Sequence, residues 1–287
     1  IEGYSVIHAR QRNRLPIPQP AVVHVRRSYC DCRYGQIHIW TAYPSGGGFD
    51  ERTPLLCLHH AGGSGRFFAP ILRDLGHDRS VYAPDLPGHG SSDAPSRASV
   101  ADLAGAIGDF LDSMRLRTVD VFGYQLGALA AAELAIARPQ QIRRVMLWGA
   151  APYSAQERAT LQAQTVALGS REDGSDVADE WRLTVERRGP GVPMSALAES
   201  FADRLRAGAQ GAKALAAVLD YPTAERLPLV KQPTAVLRLR DEYAEHASRV
   251  RSALPNSSLV DLPEYGRDFI AAAPQRFASL VREFLDR

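Results

Sequence analysis

Apolar positions recur along this chain with two different periods, and the changes between them mark out its elements. "VHVRRSYCDC" and "GQIHIWTAY" alternate in steps of two and are separated by the turn-prone Arg33-Tyr34-Gly35, the signature of a hairpin. "LLCLHH" is a short apolar run that ends in a Gly-rich loop, and a helical segment from Phe67 to Leu75 follows it. "SVYAPD" reads as a strand. Val100, Leu103, Ile107, Phe110, Leu111 and Met114 then fall on one helical face, in steps of three and four. "TVDVFGY" predicts a buried strand, Leu126 to Ala137 a helix and "IRRVMLWGA" another strand. The same alternation returns near the C-terminus with "PTAVLRL", a helix from Tyr243 to Leu254, "SSLVDLP" and an amphipathic helix through Phe277, Leu280, Val281, Phe284 and Leu285. Apolar strands alternating with amphipathic helices predict an α/β fold: a mostly parallel sheet of about eight strands, helices on both faces and a leading antiparallel hairpin.

Two segments break the pattern. Residues 1–23, with "HARQRNRLPIPQP", have no apolar period and read as a surface arm, loosely held or docked on a neighbouring subunit. Residues 151–227 are helical in composition, with loop signals at "GSREDGSD" and "RRGPGVP" and no convincing strand. Inserted between two strands, they would lie over the C-terminal ends of the sheet, where open α/β sheets bind ligands. They are expected to form a helical cap, the alternative being a helical decoration away from the site. Residues 24–150 and 228–287 make up the expected core.

Composition narrows the classes of function. The chain has 287 residues, enough for one full core with an insertion. Its 34 Lys and Arg against 32 Asp and Glu leave a formal charge of +2, so it carries no electrostatic footprint for nucleic acid. The longest apolar run, Leu126 to Ala132, is far short of the roughly 20 residues of a membrane helix. No apolar stretch follows the early charges, so no signal peptide is expected in the sequence as written, which begins at Ile1. Cys30, Cys32 and Cys57 form no CxxC and read as packing residues of a reducing cytoplasm. The eight histidines show no HExxH or similar spacing, so neither a metal site nor a cofactor is expected.

The chemistry concentrates in "VDVFGYQLGALAAAELA". Gly123-Tyr124-Gln125-Leu126-Gly127 has the rhythm of G-x-S-x-G, with glutamine at the centre. Together with "LLCLHHAGGSG", "VYAPDLPGHGSSD", "TAVLRLRDEY" and "LPEYGRDFI", each after a predicted strand and in matching order, this stretch makes the chain resemble the α/β-hydrolase superfamily from about Val25 to its end. The resemblance implies a strand-to-helix elbow whose apex, Gln125, points into a pocket beside Tyr124. It also implies an oxyanion hole built from the backbone N–H groups of Leu126 and Ala61. His59 would be a structural hydrogen-bonder rather than a proton shuttle. His60 stands where the family has glycine and either faces the pocket or packs. Asp85 and His89 match a loop that braces the fold. Asp241 occupies the place of the catalytic acid and Arg267 that of the histidine, while His246 falls in a predicted helix.

Nucleophile and base are therefore both replaced. Losing either costs a serine hydrolase on the order of a millionfold in turnover, and an arginine with a pKa above about 12 cannot act as a base. Arg267 is expected to pair bidentately with Asp241, and Gln125 with the two N–H groups to stabilise negative charge without a covalent bond. Three functions follow. The first is non-covalent chemistry of the lyase, cyclase, isomerase or decarboxylase type on a small carbonyl-bearing molecule, with His60 or Glu242 as the base. The second is a ligand-binding pseudo-hydrolase. The third is a residual ester hydrolase that uses a water held by Gln125 and His60. The expected partner is a small molecule, with no nucleic acid or membrane; a homodimer is open.

Overall fold

A computed structural model describes residues 23–44, 51–96, 99–165 and 167–287. Its strands are β1 (Val23–Cys32), β2 (Gly35–Pro44), β3 (Arg52–Leu58), β4 (Arg79–Pro84), β5 (Val119–Tyr124), β6 (Ile142–Trp148), β7 (Thr234–Leu239) and β8 (Ser257–Leu262). They form one eight-stranded sheet in the order β1-β2-β4-β3-β5-β6-β7-β8. The β1–β2 hairpin and the β2–β4 pairing are antiparallel, and every pairing from β4 to β8 is parallel. The expected N-terminal arm lies outside the described residues except for Val23, which opens β1.

Helices cover both faces of the sheet, because its central strands bury alternate side chains on opposite sides. In β5, Val119 and Val121 join a core layer with α2 (Val100–Ser113) and α3 (Leu126–Ala137). Phe122 and Tyr124 turn the other way and meet α1 (Ala69–Leu75) and the last helix of the chain, Pro274–Leu285. Strands apolar on both faces need this double cover. A capping box at Ser99 and Asp102 starts α2, and a 3₁₀ turn, Gly65–Phe68, delays the start of α1 to Ala69.

Between β6 and β7 the described residues contain helices and no strand: α4 (Ala155–Gln164), α5 (Ser175–Glu186), α6 (Met194–Asp220) and α7 (Thr223–Arg226). The 27-residue α6 is broken at Gly208 by φ 45° and ψ −122°, values that a residue with a Cβ adopts only under strain. α8 (Ala244–Ala253), α9 (Phe269–Ala272) and α10 (Pro274–Leu285) complete the chain. The parallel register pairs Leu58 with Gly123, Tyr124 with Trp148, and Trp148 with Leu237. The C-terminal ends of β3, β5, β6 and β7 are thereby level, and the loops that leave them share one edge.

Candidate functional site

The elbow forms because its flanks are glycine. A Cβ on Gly123 would stand 2.2 Å from the carbonyl oxygen of Gly127, and one on Gly127 would stand 2.1 Å from that of Leu58. Any side chain at either position would push α3 off the sheet. At the apex, Gln125 has φ 52° and ψ −107°, a strained conformation that costs about 1–3 kcal/mol. Its N–H donates to the Trp148 carbonyl at 2.7 Å, which ties the apex to β6.

The Gln125 side chain folds back on its own elbow. Its Oε1 accepts from Ala61 N at 2.8 Å and from Leu126 N at 3.0 Å. Both partners are donors, so the atom they meet must be the amide oxygen and not the nitrogen. These are the two N–H groups expected to hold a ligand's negative charge. That expectation is corrected: a neutral carbonyl oxygen from the protein already sits between them. Gln125 is only 7% exposed and lines a cavity, and its Nε2 has no hydrogen-bond partner among the described residues.

The loop after β3 supplies the second wall. His59 is fully buried, and its Nδ1–H donates to the His60 carbonyl at 2.8 Å while its Nε2 accepts from Leu86 N at 2.8 Å. Both ring nitrogens are used, and burial holds the ring neutral, its pKa far below the ordinary value. Asp85 accepts from Gly65 N at 2.7 Å and Ser91 N at 2.8 Å and also meets the His38 ring. His60 packs edge-on to Phe67, centroids 5.1 Å apart, and lies 5.2 Å from the Tyr124 ring. Its Nδ1 is enclosed with no partner, and burial pushes its pKa down to about 3.

The acid and the arginine do not meet. Asp241 Oδ2 accepts from the indole Nε1 of Trp148 at 2.7 Å, and its Oδ1 accepts from Tyr243 N at 2.9 Å. Burial holds this carboxyl above the usual range. Arg267 donates instead to Glu242 Oε2 at 3.0 Å, both side chains 42% exposed. The expected Arg267–Asp241 pair is thus corrected to Arg267–Glu242. Trp148 ends β6 beside β7, and its N–H, the indole's single donor, takes the carboxylate first. Its ring also stacks on the buried Tyr124, centroids 4.1 Å apart. Tyr124 serves the floor of the site through its ring, and its hydroxyl is kept protonated by burial.

Above this floor lies a cavity of about 870 Å³, bounded on the far side by α4, α5 and α6. Ser64 Oγ donates to Asp203 of α6 at 2.5 Å, and Gly189 N donates to Asp268 at 3.1 Å. Arg204 of α6 reaches Glu180 and Thr184 of α5 at 2.5 and 2.6 Å. Burial raises the carboxyl pKa of both Asp203 and Asp268. Sequence reasoning missed Trp148, Phe67, Asp203 and Asp268. Trp148 carried a signal, as a residue with a buried donor at the end of a central strand. The other three did not, because only folding brings them to the cavity. His246, in α8, also lines it, with its Nδ1 accepting from Arg249 at 2.8 Å.

Known proteins match this architecture. An uncharacterized protein of Mycobacterium tuberculosis is 26% identical over 266 residues, covering 81% of this chain and 75% of its own. The 2-hydroxymuconate semialdehyde hydrolase of Pseudomonas sp. strain CF600 is 32% identical over 118 residues, 39% of this chain and 40% of its own. The crystal structure of the enol-lactonase from Burkholderia xenovorans LB400 superposes with a TM-score of 0.76 at 18% identity, covering 91% of this chain and all of that one. A family model described as alpha/beta hydrolase fold matches residues 53–258. With its eight-stranded sheet and glycine-flanked elbow, the chain belongs to the alpha/beta-hydrolase fold family.

Proposed function

We propose that this chain uses the pocket of its fold family to bind a small organic molecule, and that non-covalent recognition replaces acyl-enzyme hydrolysis. The observation that carries this reading is the Gln125 oxygen lodged between Ala61 N and Leu126 N. A carboxamide is not a nucleophile under these conditions, and in this pose it also fills the place where a tetrahedral oxyanion would be stabilised. Neither residue nearest the place of the family's histidine supplies a base. Arg267 is paired with Glu242, and a guanidinium offers no acceptor for a proton, while His60, with a pKa near 3, is too weak a base at neutral pH. The same two facts count against a water-mediated ester hydrolase.

Helices α4 to α6 act as the cap. The cavity beneath them falls within the roughly 300–1,000 Å³ typical of small-molecule sites. The semialdehyde hydrolase and the enol-lactonase among the similar proteins support a small carbonyl-bearing ligand. The free cysteines Cys30, Cys32 and Cys57 support a reducing cytoplasm. A second reading, non-covalent lyase or isomerase chemistry, is favoured by Asp268. Its carboxyl lines the cavity, and burial raises its pKa above the ordinary carboxylate value, the direction that favours a carboxyl as general acid or base.

Native mass spectrometry of protein purified without denaturation separates these readings. Binding predicts a retained small molecule that is recovered unchanged after incubation. Conversion of that molecule, lost in Asp268→Asn, supports the second reading. A burst of nitrophenol from p-nitrophenyl acetate, stoichiometric with protein, refutes both.

A further inference from the structure

The helices above the cavity divide at Gly208, where α6 is broken, because the two halves of α6 have different neighbours. Beyond the break, Ala214 and Val218 are buried in the core layer that holds α2 and α3. Before it, the buried Leu197 and Ala207 belong to neither core layer, and α5 buries no residue at all. α4 goes with the core. Its Glu157 meets His246 and Arg249 of α8, and its Gln162 donates to Asp220 at the far end of α6 at 3.4 Å. Residues 170–207 are what remains, and they hold to one another. Arg204 donates to Glu180 and Thr184, and Trp181 packs edge-on to Phe201 with centroids 5.1 Å apart.

The chain enters and leaves this body at two glycines that lie close together. It enters at Gly169, φ 79°, and leaves at Gly208, φ 45°. A Cβ on Gly208 would lie 3.8 Å from the Leu168 carbonyl oxygen, and one on Gly169 would lie 3.3 Å from Leu205. Two neighbouring crossings define an axis, and glycine lets the backbone rotate there over the widest range. The turn that follows Gly169 bonds to the body and not to the core: Ser170 N donates to Asp176 at 2.8 Å, and Ser175 N to Asp173 at 3.0 Å. Among the described residues, and apart from the backbone of α6 itself, two hydrogen bonds fasten the body to the core. Ser64 Oγ donates to Asp203, and Gly189 N to Asp268. A body with few buried apolar contacts and two fasteners is the kind that opens well below the free energy of global unfolding.

We infer that residues 170–207 form a flap that swings as one body on the Gly169–Gly208 axis and opens the cavity when the Ser64–Asp203 and Gly189–Asp268 hydrogen bonds part. α4 and the second half of α6 stay with the core, so a fixed wall and a moving wall face each other across the cavity. Glu180, Arg187 and Arg204 leave with the flap, while Tyr124, Gln125 and Tyr153 stay. The flap depends on neither function proposed for the cavity; it governs access to it.

Pulsed electron resonance between nitroxide pairs on the full chain tests it, in a background where the partly buried Cys30 and Cys32 are serine and the buried Cys57 is kept. The labels go on exposed positions introduced as cysteine: Ala178→Cys in α5, Ala202→Cys and Lys213→Cys on either side of Gly208, and Ala163→Cys in α4. The 178–213 pair spans the axis, 178–202 lies within the flap, and 163–213 lies within the fixed part. Asp203→Ala and Asp268→Ala each remove one fastener, and each should raise the ratio of open to closed distances for 178–213 about tenfold or more. The 178–202 and 163–213 distances should not change. The double variant should raise the ratio further, and either single variant carries the test if the double fails to fold. An unchanged 178–213 distance in every folded variant overturns the flap. Broadening of 178–202 to the same extent as 178–213 overturns it too, because the segment would then be unfolding and not swinging. A shift in 163–213 would place α4 in the moving part and overturn the Gly208 axis.

Discussion

Removing the Gln125 oxygen should cost stability in a way that separates its hydrogen bonds from its backbone strain. Gln125→Ala deletes the acceptor of two backbone donors, the part-buried Ala61 N at 2.8 Å and the buried Leu126 N at 3.0 Å. Each such bond is worth about 0.5–1.5 kcal/mol net, so the pair is worth about 1–3 kcal/mol. Water can enter from the adjoining cavity and satisfy part of this demand, which places the expected loss in the lower half of the range. Alanine keeps a Cβ at φ 52° and ψ −107°, so the strain stays. Gln125→Gly loses the same bonds and releases about 1–3 kcal/mol of strain, less the roughly 0.5–1 kcal/mol entropic penalty of glycine. The expected order of stability is wild type, then Gly, then Ala, with Gly above Ala by about 1 kcal/mol. Denaturant unfolding midpoints at constant m read the order directly. Hydrogen exchange at Ala61 and Leu126 reads the mechanism, because both amides should lose protection in either variant. An Ala variant as stable as the wild type, with both amides still protected, would show that the oxygen does not fill the hole.

Three further outcomes follow from the same geometry. Serine-directed fluorophosphonates should leave the protein unlabelled, as read by intact-mass measurement, because the apex has no hydroxyl; stoichiometric adduct at Ser64 or Ser92 would refute this. Arg267→Ala should shift the unfolding free energy by less than about 1 kcal/mol, because its pair with Glu242 is 42% exposed on both sides; a loss above about 3 kcal/mol would mean that Arg267 meets a buried carboxylate after all. Acid should destabilise the fold through His60. Held neutral in the folded state, it binds fewer protons than the unfolded chain between its folded pKa of about 3 and its ordinary 6.5, so its contribution is lost as pH falls through that window. By pH 5 the loss is about 2 kcal/mol, and His60→Phe should remove it from the pH dependence of the unfolding midpoint; an identical pH dependence in the variant would mean that His60 is protonated in the fold.

The periods of two and 3.6 place the strands, α2, α3, α8 and α10 within a few residues of their structural positions. They do so because burial on a sheet face or a helix stripe is written position by position. The elbow was equally legible: Gly123 and Gly127 are required by backbone atoms close at hand, so local sterics suffice to announce it. The break of α6 at Gly208 was not legible, since a glycine within a helical composition signals tolerance of a bend rather than its presence.

The sequence by itself determined the fold class, the sheet, the elbow and the absence of hydroxyl and imidazole from the places where the family resemblance expects them. Only the tertiary structure decided where the substitutes point. Whether Gln125 offers its amide to a ligand or turns its oxygen inward depends on Ala61, which is 64 residues away in the chain. Whether Asp241 meets Arg267 or Trp148 depends on β6 lying beside β7, which brings together residues 93 apart. Side-chain identity sets which hydrogen bonds a group can make. The long-range packing of the sheet sets which partner arrives first, and a buried polar group takes the partner at hand because an unpaired one is costly.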